Sequence, residues 1–102
     1  MQPVIASSAK IGQQTRWGQF CVVGEGVTVG DGCVIGNHVT IHSGTVIGNN
    51  VRIDDNSVIG KQPMRAVNSA VTKEQELPPA SIGDDCIIGT SVVIYAGCRL
   101  GR

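Results

Sequence analysis

A six-residue period constrains the fold of this chain more than any other feature of its sequence. From Val23 to Ile59 a valine or isoleucine returns at every sixth position, and a glycine usually follows it. Three places after each of these residues up to Ile53 stands a glycine, an asparagine or a histidine, residues that tolerate a positive φ. Because neither a helix nor a single long strand gives this spacing, the pattern predicts a parallel β-helix built from units of one short strand and one turn.

We number the positions of each six-residue unit, or hexad, from its aliphatic residue. The first and fifth positions are expected to point inward, and from Val27 to Ser57 the fifth position holds small or medium-sized side chains. One hexad cannot bury these side chains alone, whereas stacked hexads form a continuous core. The chain is therefore predicted to be a narrow prism of stacked coils, which needs few aromatic residues; the sequence has three.

The hexad frame also predicts how the chain is organised. It runs through residues 5–64, fails over residues 65–81 and returns over residues 82–102. Ile82 lies 23 residues after Ile59, one short of the 24 that four complete hexads would take. The segment between them is therefore predicted to contain an inserted loop rather than degenerate hexads. With 102 residues, the chain is expected to form a single domain, residues 1–102.

Composition and charge exclude several classes of function. Eight basic and eight acidic residues give a formal net charge of zero, which argues against a nucleic-acid or anionic-membrane partner. No apolar run is long enough to cross a membrane, and residues 1–10 lack the pattern of a secretory signal. We therefore expect a cytoplasmic protein with neither a nucleic-acid nor a membrane partner.

Four cysteines raise the question of a metal site or of disulfide bonds. Cys21, Cys33, Cys86 and Cys98 all occupy the fifth, inward position of a hexad, and no two of them form a Cys-x-x-Cys pair. They are predicted to be free thiols that act as small buried hydrophobic residues and bind no metal. On this interpretation Cys33→Ser is expected to be destabilising, because the serine hydroxyl would be buried without a partner.

The hexads, together with the stretch from Ile59 through Leu77, Pro78 and Pro79 to Ile82, resemble the hexapeptide-repeat transferases, in particular the bacterial sugar O- and N-acyltransferases. The resemblance implies an all-β fold, a left-handed parallel β-helix in which three hexads make one triangular coil. About four coils are expected, with one inserted loop. The resemblance also implies a homotrimer in which the loop packs on a neighbouring subunit. It covers only the front half of a typical family member.

The same resemblance implies an activity and a catalytic residue. The family transfers an acyl group such as acetyl from acyl-CoA, the expected co-substrate, to an amine or hydroxyl of a sugar or nucleotide sugar. A histidine is the general base, and no cofactor is expected to be bound. His42 takes a second position, where glycine is usual, and Gly24 and Gly60 lie three hexads to either side. Because glycines would leave space around the imidazole, His42 is the first candidate for the base. His38, at a turn position, is the second.

Other interpretations of these residues and of the chain remain open. His42 would otherwise be a surface residue, and His38 a turn residue with positive φ. Residues 82–98 also resemble the metal-bearing stretch of the gamma-class carbonic anhydrases, but Thr90 and Tyr95 stand where that family has histidines. A three-histidine zinc site would lack ligands in a chain with two histidines. Besides an acyltransferase and a carbonic anhydrase, a third class of function is open. The chain would then be a non-catalytic β-helical scaffold or assembly module, or the N-terminal part of a longer transferase.

Overall fold

The structure, a computed structural model, describes residues 2–63 and 77–101. This part of the chain forms fourteen short strands and no helix, and so contains no helix that is long and apolar enough to cross a membrane. Successive strands belong in turn to three parallel sheets, which are the three faces of a prism. The predicted fold class, an all-β left-handed parallel β-helix, is confirmed.

The strands are short because each hexad turns a corner. The first sheet contains β1 (Val4–Ile5), β4 (Val22–Val23), β7 (Thr40–Ile41), β10 (Val58–Lys61) and β13 (Val93–Tyr95). The second contains β2 (Lys10–Ile11), β5 (Thr28–Val29), β8 (Val46–Ile47), β11 (Ser81–Ile82) and β14 (Arg99–Leu100). The third contains β3 (Arg16–Trp17), β6 (Val34–Ile35), β9 (Arg52–Ile53) and β12 (Ile87–Ile88). At the corners the fourth position takes a left-handed backbone, as at Asn50 and Asn56.

Each coil is stacked on the next with a fixed register. Val4 pairs with Val22, and Val22 with Thr40, so equivalent residues are three hexads apart and one coil holds three hexads. Backbone N–H groups of one coil donate to carbonyls of the next, as from Gly24 to Ile41 at 2.9 Å. The core is filled from two positions of each hexad. The first-position residues of the middle coils, among them Ile41 and Ile47, are at most 2% exposed.

Five fifth-position hydroxyls and thiols of the described residues find an acceptor in the next coil. In each case the hydroxyl or thiol donates to the carbonyl of the second-position residue one coil further along. The described pairs are Thr15–Gly30 at 2.8 Å, Cys21–Gly36 at 3.0 Å, Cys33–Gly48 at 3.2 Å, Ser57–Gly89 at 2.7 Å and Cys86–Gly101 at 3.0 Å. The expectation that a hydroxyl at position 33 would lack a partner is therefore wrong.

The four cysteines are unpaired. Cys21 and Cys33 are fully buried, as the hexad register predicted, and Cys86 is half-buried. Cys98 is exposed, contrary to the prediction. Although it occupies the same inward position, it immediately precedes β14, the edge strand of the second sheet, which no further coil of the described residues covers.

Cys33→Ser is expected to lower the free energy of unfolding by no more than about 1 kcal/mol, because the hydroxyl takes over the bond to the Gly48 carbonyl. Urea unfolding of Cys33→Ser and of the control variant Cys33→Ala measures this. The serine variant should be at least as stable as the alanine variant. A serine variant that is clearly the less stable of the two would mean that the hydroxyl has no acceptor.

A second ladder of hydrogen bonds joins the coils near the corners. Third-position Asn and Asp side chains accept the backbone N–H of the residue one coil earlier, as from Asn37 to Asp55 Oδ1 at 2.7 Å and from Asp31 to Asn49 Oδ1 at 2.8 Å. The ladder leaves no room for a side chain at the second position of the earlier coil. A Cβ added to Gly36 would lie 2.3 Å from Asp55 Oδ1 and 2.9 Å from its backbone nitrogen.

Gly36→Ala is therefore expected to lower the free energy of unfolding by about 1–3 kcal/mol, since the added methyl forces two coils apart. Gly89→Ala is the matched control at the same hexad position, because nothing lies within 4 Å of an added Cβ there. Its stability should stay within about 0.5 kcal/mol of the parent. Equal losses in the two variants, measured by urea unfolding, would contradict close stacking as the reason for the glycine.

In the described residues the coil register is interrupted between Gly60 and Pro78. Before this point paired strands are three hexads apart, as Val22 and Thr40 are, whereas across it Val46 pairs with Ser81, almost twice as far along the chain. Gly97 N–H donates to Pro78 O at 2.6 Å, so Pro78 is already part of a coil. The structure thus places the return to the prism earlier than the end of the predicted loop, residues 65–81.

The base of the insertion is closed by one side chain. Gln62 Nε2 donates to Leu77 O at 3.0 Å, and Leu77 N–H donates to Gln62 Oε1 at 3.1 Å. This pair of hydrogen bonds holds the outgoing and returning segments together. Residues 64–76, most of the predicted loop, lie outside the described residues, and the packing of the loop on a neighbouring subunit stays a prediction.

Candidate functional site

His42 lies at a corner of the prism, directly after β7. Its N–H donates to Ile59 O at 2.8 Å, and its carbonyl accepts the N–H of Thr45 at 3.3 Å. Both backbone groups are thus fixed by the fold, and the imidazole is half-buried. The corner presents this side chain to the base of the insertion.

A cleft of about 410 Å³ opens beside His42. The described residues that line it are His42, Ser43, Gly60, Lys61, Gln62, Leu77 and Pro79. None of these is acidic, and Lys61 is the only one with a formal charge. The cleft therefore combines an imidazole, a hydroxyl, an amide and an ammonium group beside two apolar side chains. Such a set can orient a polar ligand and move a proton.

The sequence suggested that Gly24 and Gly60 leave free space on both sides of His42. In the structure neither glycine has this role. On one side, a Cβ added to Gly24 would lie 2.8 Å from the backbone nitrogen of Ser43, so Gly24 makes room for the backbone. On the other side β10 contains a bulge at Gly60, whose φ is +84°. Gly60 is buried and faces inward, because a Cβ there would meet Thr45 Oγ1 at 2.2 Å.

The bulge brings a residue to the site that the sequence analysis missed. Lys61, not Gly60, is the register partner of Tyr95 in the next coil. Lys61 thus occupies the outward column of second-position residues, next to the coil of His42. The interval between Ile59 and Ile82, one position short of four hexads, indicated an insertion but not this bulge.

The surroundings of His42 favour its neutral form. Burial lowers the pKa of the His42 imidazole below its ordinary value of 6.5, and the positive charge of Lys61 lowers the pKa further. The imidazole is therefore unprotonated at neutral pH, with a ring nitrogen able to accept a proton.

His38 lies in a different environment. It has a φ of +56° and stands at the turn position, which agrees with the interpretation of His38 as a turn residue. Its ring stacks on Phe20, one coil earlier, with centroids 5.0 Å apart and planes inclined by 10°. The shallow depression around it is lined by Asn37, Asp55 and other polar residues and does not include His42. The structure therefore does not bring the two candidate histidines together.

The described residues contain no group of three or more His, Cys, Asp or Glu side chains that could hold a metal ion. Thr90 lies near a corner, and Tyr95 lies at the end of β13.

Comparison with known sequences and structures agrees with this architecture. A profile described as "Bacterial transferase hexapeptide (six repeats)" matches residues 8–43, and one described as "Hexapeptide repeat of succinyl-transferase" matches residues 26–61 and 79–102. The second profile covers more than half of the chain. The chain belongs to the hexapeptide-repeat transferase family. A search of curated protein sequences found no match.

A solved structure gives a finer likeness for this hexapeptide-repeat protein. It is similar to LpxA, a UDP-N-acetylglucosamine acyltransferase from Bacteroides fragilis, with a TM-score of 0.85 and 28% sequence identity. The match covers 97% of this chain and 39% of LpxA, so the chain spans well under half of that enzyme's length. The break between the two matched segments of the second profile, residues 62–78, lies where the coil register is interrupted.

The position of His42 beside Lys61 leads to a measurable expectation. In a proton-detected NMR titration of the imidazole, the pKa of His42 should lie below 6.5, with burial as the larger cause and Lys61 as the smaller one. The variant His38→Asn, which keeps a residue that tolerates positive φ, leaves a single histidine and removes ambiguity in the assignment. A His42 pKa at or above 6.5 would contradict the described environment.

Proposed function

We propose that this hexapeptide-repeat protein is part of an acyltransferase that moves an acyl group from an acyl-CoA thioester to an amine or hydroxyl of a sugar or nucleotide sugar. The observation that carries the proposal is the neutral, half-buried imidazole of His42 in a cleft without described carboxylates. The likeness to a UDP-N-acetylglucosamine acyltransferase supports acyl transfer and the class of acceptor.

His42 would act as the general base. Its imidazole takes the proton from the acceptor hydroxyl or amine as that group attacks the thioester carbonyl carbon. The new ester or amide bond forms, the carbon–sulfur bond breaks, and the departing thiolate recovers the proton from the imidazolium. A base with a pKa below 6.5 is in its proton-accepting form at neutral pH, so activity should rise as the pH increases through the pKa of His42.

We also propose that the chain works as a homotrimer, with the first sheet at the interface. The outward sixth-position residues of that sheet carry no charge and are β-branched: Val4, Val22, Thr40, Val58 and Val93. The other two sheets present charged residues, among them Lys10 and Arg52. His42 follows β7 and Lys61 ends β10, both strands of the first sheet, so the cleft would lie beside a neighbouring subunit. A cytoplasmic location stays a prediction.

A second candidate is a role without catalysis, as a β-helical scaffold or as the N-terminal part of a longer transferase. The observation in its favour is that the chain spans 39% of the similar acyltransferase. On this account the cleft would bind ligand or a neighbouring subunit, and the full reaction would need residues that these 102 do not supply.

Replacement of the base distinguishes the two candidates. His42→Ala should lower kcat for acyl transfer by roughly 10²–10⁴-fold, the usual contribution of a general base, with the coil intact by circular dichroism. Acylated product is measured by mass spectrometry with acetyl-CoA and longer acyl-CoA donors and a panel of sugars and nucleotide sugars. His38→Asn is the control and should retain activity.

Full activity in His42→Ala would mean that another residue is the base. No turnover with any donor and acceptor by the unmodified chain would favour the scaffold or the incomplete transferase.

A further inference from the structure

Two irregularities meet at the bulge in β10. Among the described second-position residues Gly60 alone has a positive φ. On the neighbouring coil, Thr45 Oγ1 is the one buried side-chain nitrogen or oxygen of the described residues without a hydrogen-bond partner. The coil register predicts the Gly60 carbonyl as the acceptor for this hydroxyl, as in the five other described pairs of this kind. The bulge thus withholds an acceptor that a regular coil would provide.

The same bulge determines where Lys61 lies. Lys61 pairs with Tyr95, and its carbonyl accepts the N–H of Ala96 at 2.9 Å, so its backbone is held in the sheet. The side chain adjoins the cleft that His42 also lines. A regular strand would place residue 60 opposite Tyr95, and Lys61 would then be the first residue beyond the sheet.

We propose that Gly60 is a positioning residue whose left-handed backbone directs the Lys61 ammonium into the cleft beside the His42 imidazole. A positive charge in this place disfavours a second positive charge on the imidazole. The inference rests on the proposed function in one respect only. If His42 is the general base, the charge of Lys61 serves to keep its imidazole unprotonated and able to accept a proton.

The other charged and titratable groups near His42 do not offer the same effect. On the coil before His42, Glu25 accepts a hydrogen bond from Ser8, which belongs to the coil beyond it. On the coil after Lys61, Tyr95 is 45% exposed. Because Lys61 is the charge that lowers the pKa of His42, its removal should change the titration of the imidazole more than the removal of Glu25 or Tyr95.

A substitution at Gly60 can be made without a clash. A Cβ at Gly60 would lie 2.2 Å from Thr45 Oγ1 but 3.6 Å from Thr45 Cβ, so Thr45→Ala opens the space that an alanine at position 60 needs. The remaining cost is the strain of an alanine at a φ of +84°, which favours relaxation of the bulge.

The first arm of the test changes charge only. The pKa of His42 is measured by NMR titration in the full chain, in Lys61→Gln and in the control Lys10→Gln, which removes an exposed lysine of the second sheet. We expect the pKa to rise towards 6.5 in Lys61→Gln, short of that value because burial remains, and to stay unchanged in Lys10→Gln. An unchanged pKa in Lys61→Gln would overturn the proposal.

The second arm changes the backbone. Relative to Thr45→Ala, the double variant Thr45→Ala/Gly60→Ala should raise the pKa of His42 by about as much as Lys61→Gln does, and adding Lys61→Gln should raise it no further. A folded double variant that retains the low pKa would overturn the role of Gly60. If the double variant does not fold, the Lys61→Gln arm decides, because it leaves the backbone unchanged.

These measurements do not involve acyl transfer. A pKa that responds as expected in a protein without acyltransferase activity would contradict the proposed function and leave the positioning role intact. An active protein whose His42 pKa ignores Lys61 would contradict the positioning role alone.

Discussion

Hydrogen bonds between successive coils hold the corners of this prism in line with the equivalent corners of the next coil. The backbone ladders of the three sheets, the third-position Asn and Asp side chains and the fifth-position thiols and hydroxyls all join one coil to the next. Because the coils are held in this register, the space available to a side chain is determined by the equivalent residues of the coils before and after it. This is why glycine is usual where a third-position side chain of the next coil approaches, as at Gly36.

An insertion in such a stack must leave and rejoin the coil without shifting the register of the later coils. The chain achieves this at one corner, where Gly60 adopts a left-handed backbone, the Gln62 amide pairs with Leu77, and Ala80 returns to the core. The strands after the insertion stack in regular register except where β13 pairs with the bulge of β10. The irregularity is thus confined to the corner beside His42, where the cleft lies.

The hexads were sufficient to predict the fold, the inward first and fifth positions and the turn role of His38, because each depends on residues within one repeat. The environment of His42 could not be predicted in the same way. Gly60 has the residue type that most second positions have, and only its φ, determined by the insertion, distinguishes it. In the hexad frame Lys61 therefore had the register of an ordinary third-position residue. Likewise, Cys98 has the register of a core residue, and its exposure depends on the absence of a covering coil among the described residues.

The bulge links the regular stack to the candidate site, and it can be observed directly. A scalar coupling across the hydrogen bond between the Ala96 amide and the carbonyl carbon of its acceptor, measured by NMR in the labelled chain, identifies that acceptor. The account predicts a coupling to Lys61, at the described distance of 2.9 Å. A coupling from Ala96 to Gly60 instead would contradict the bulge, and with it the placement of Lys61 beside His42.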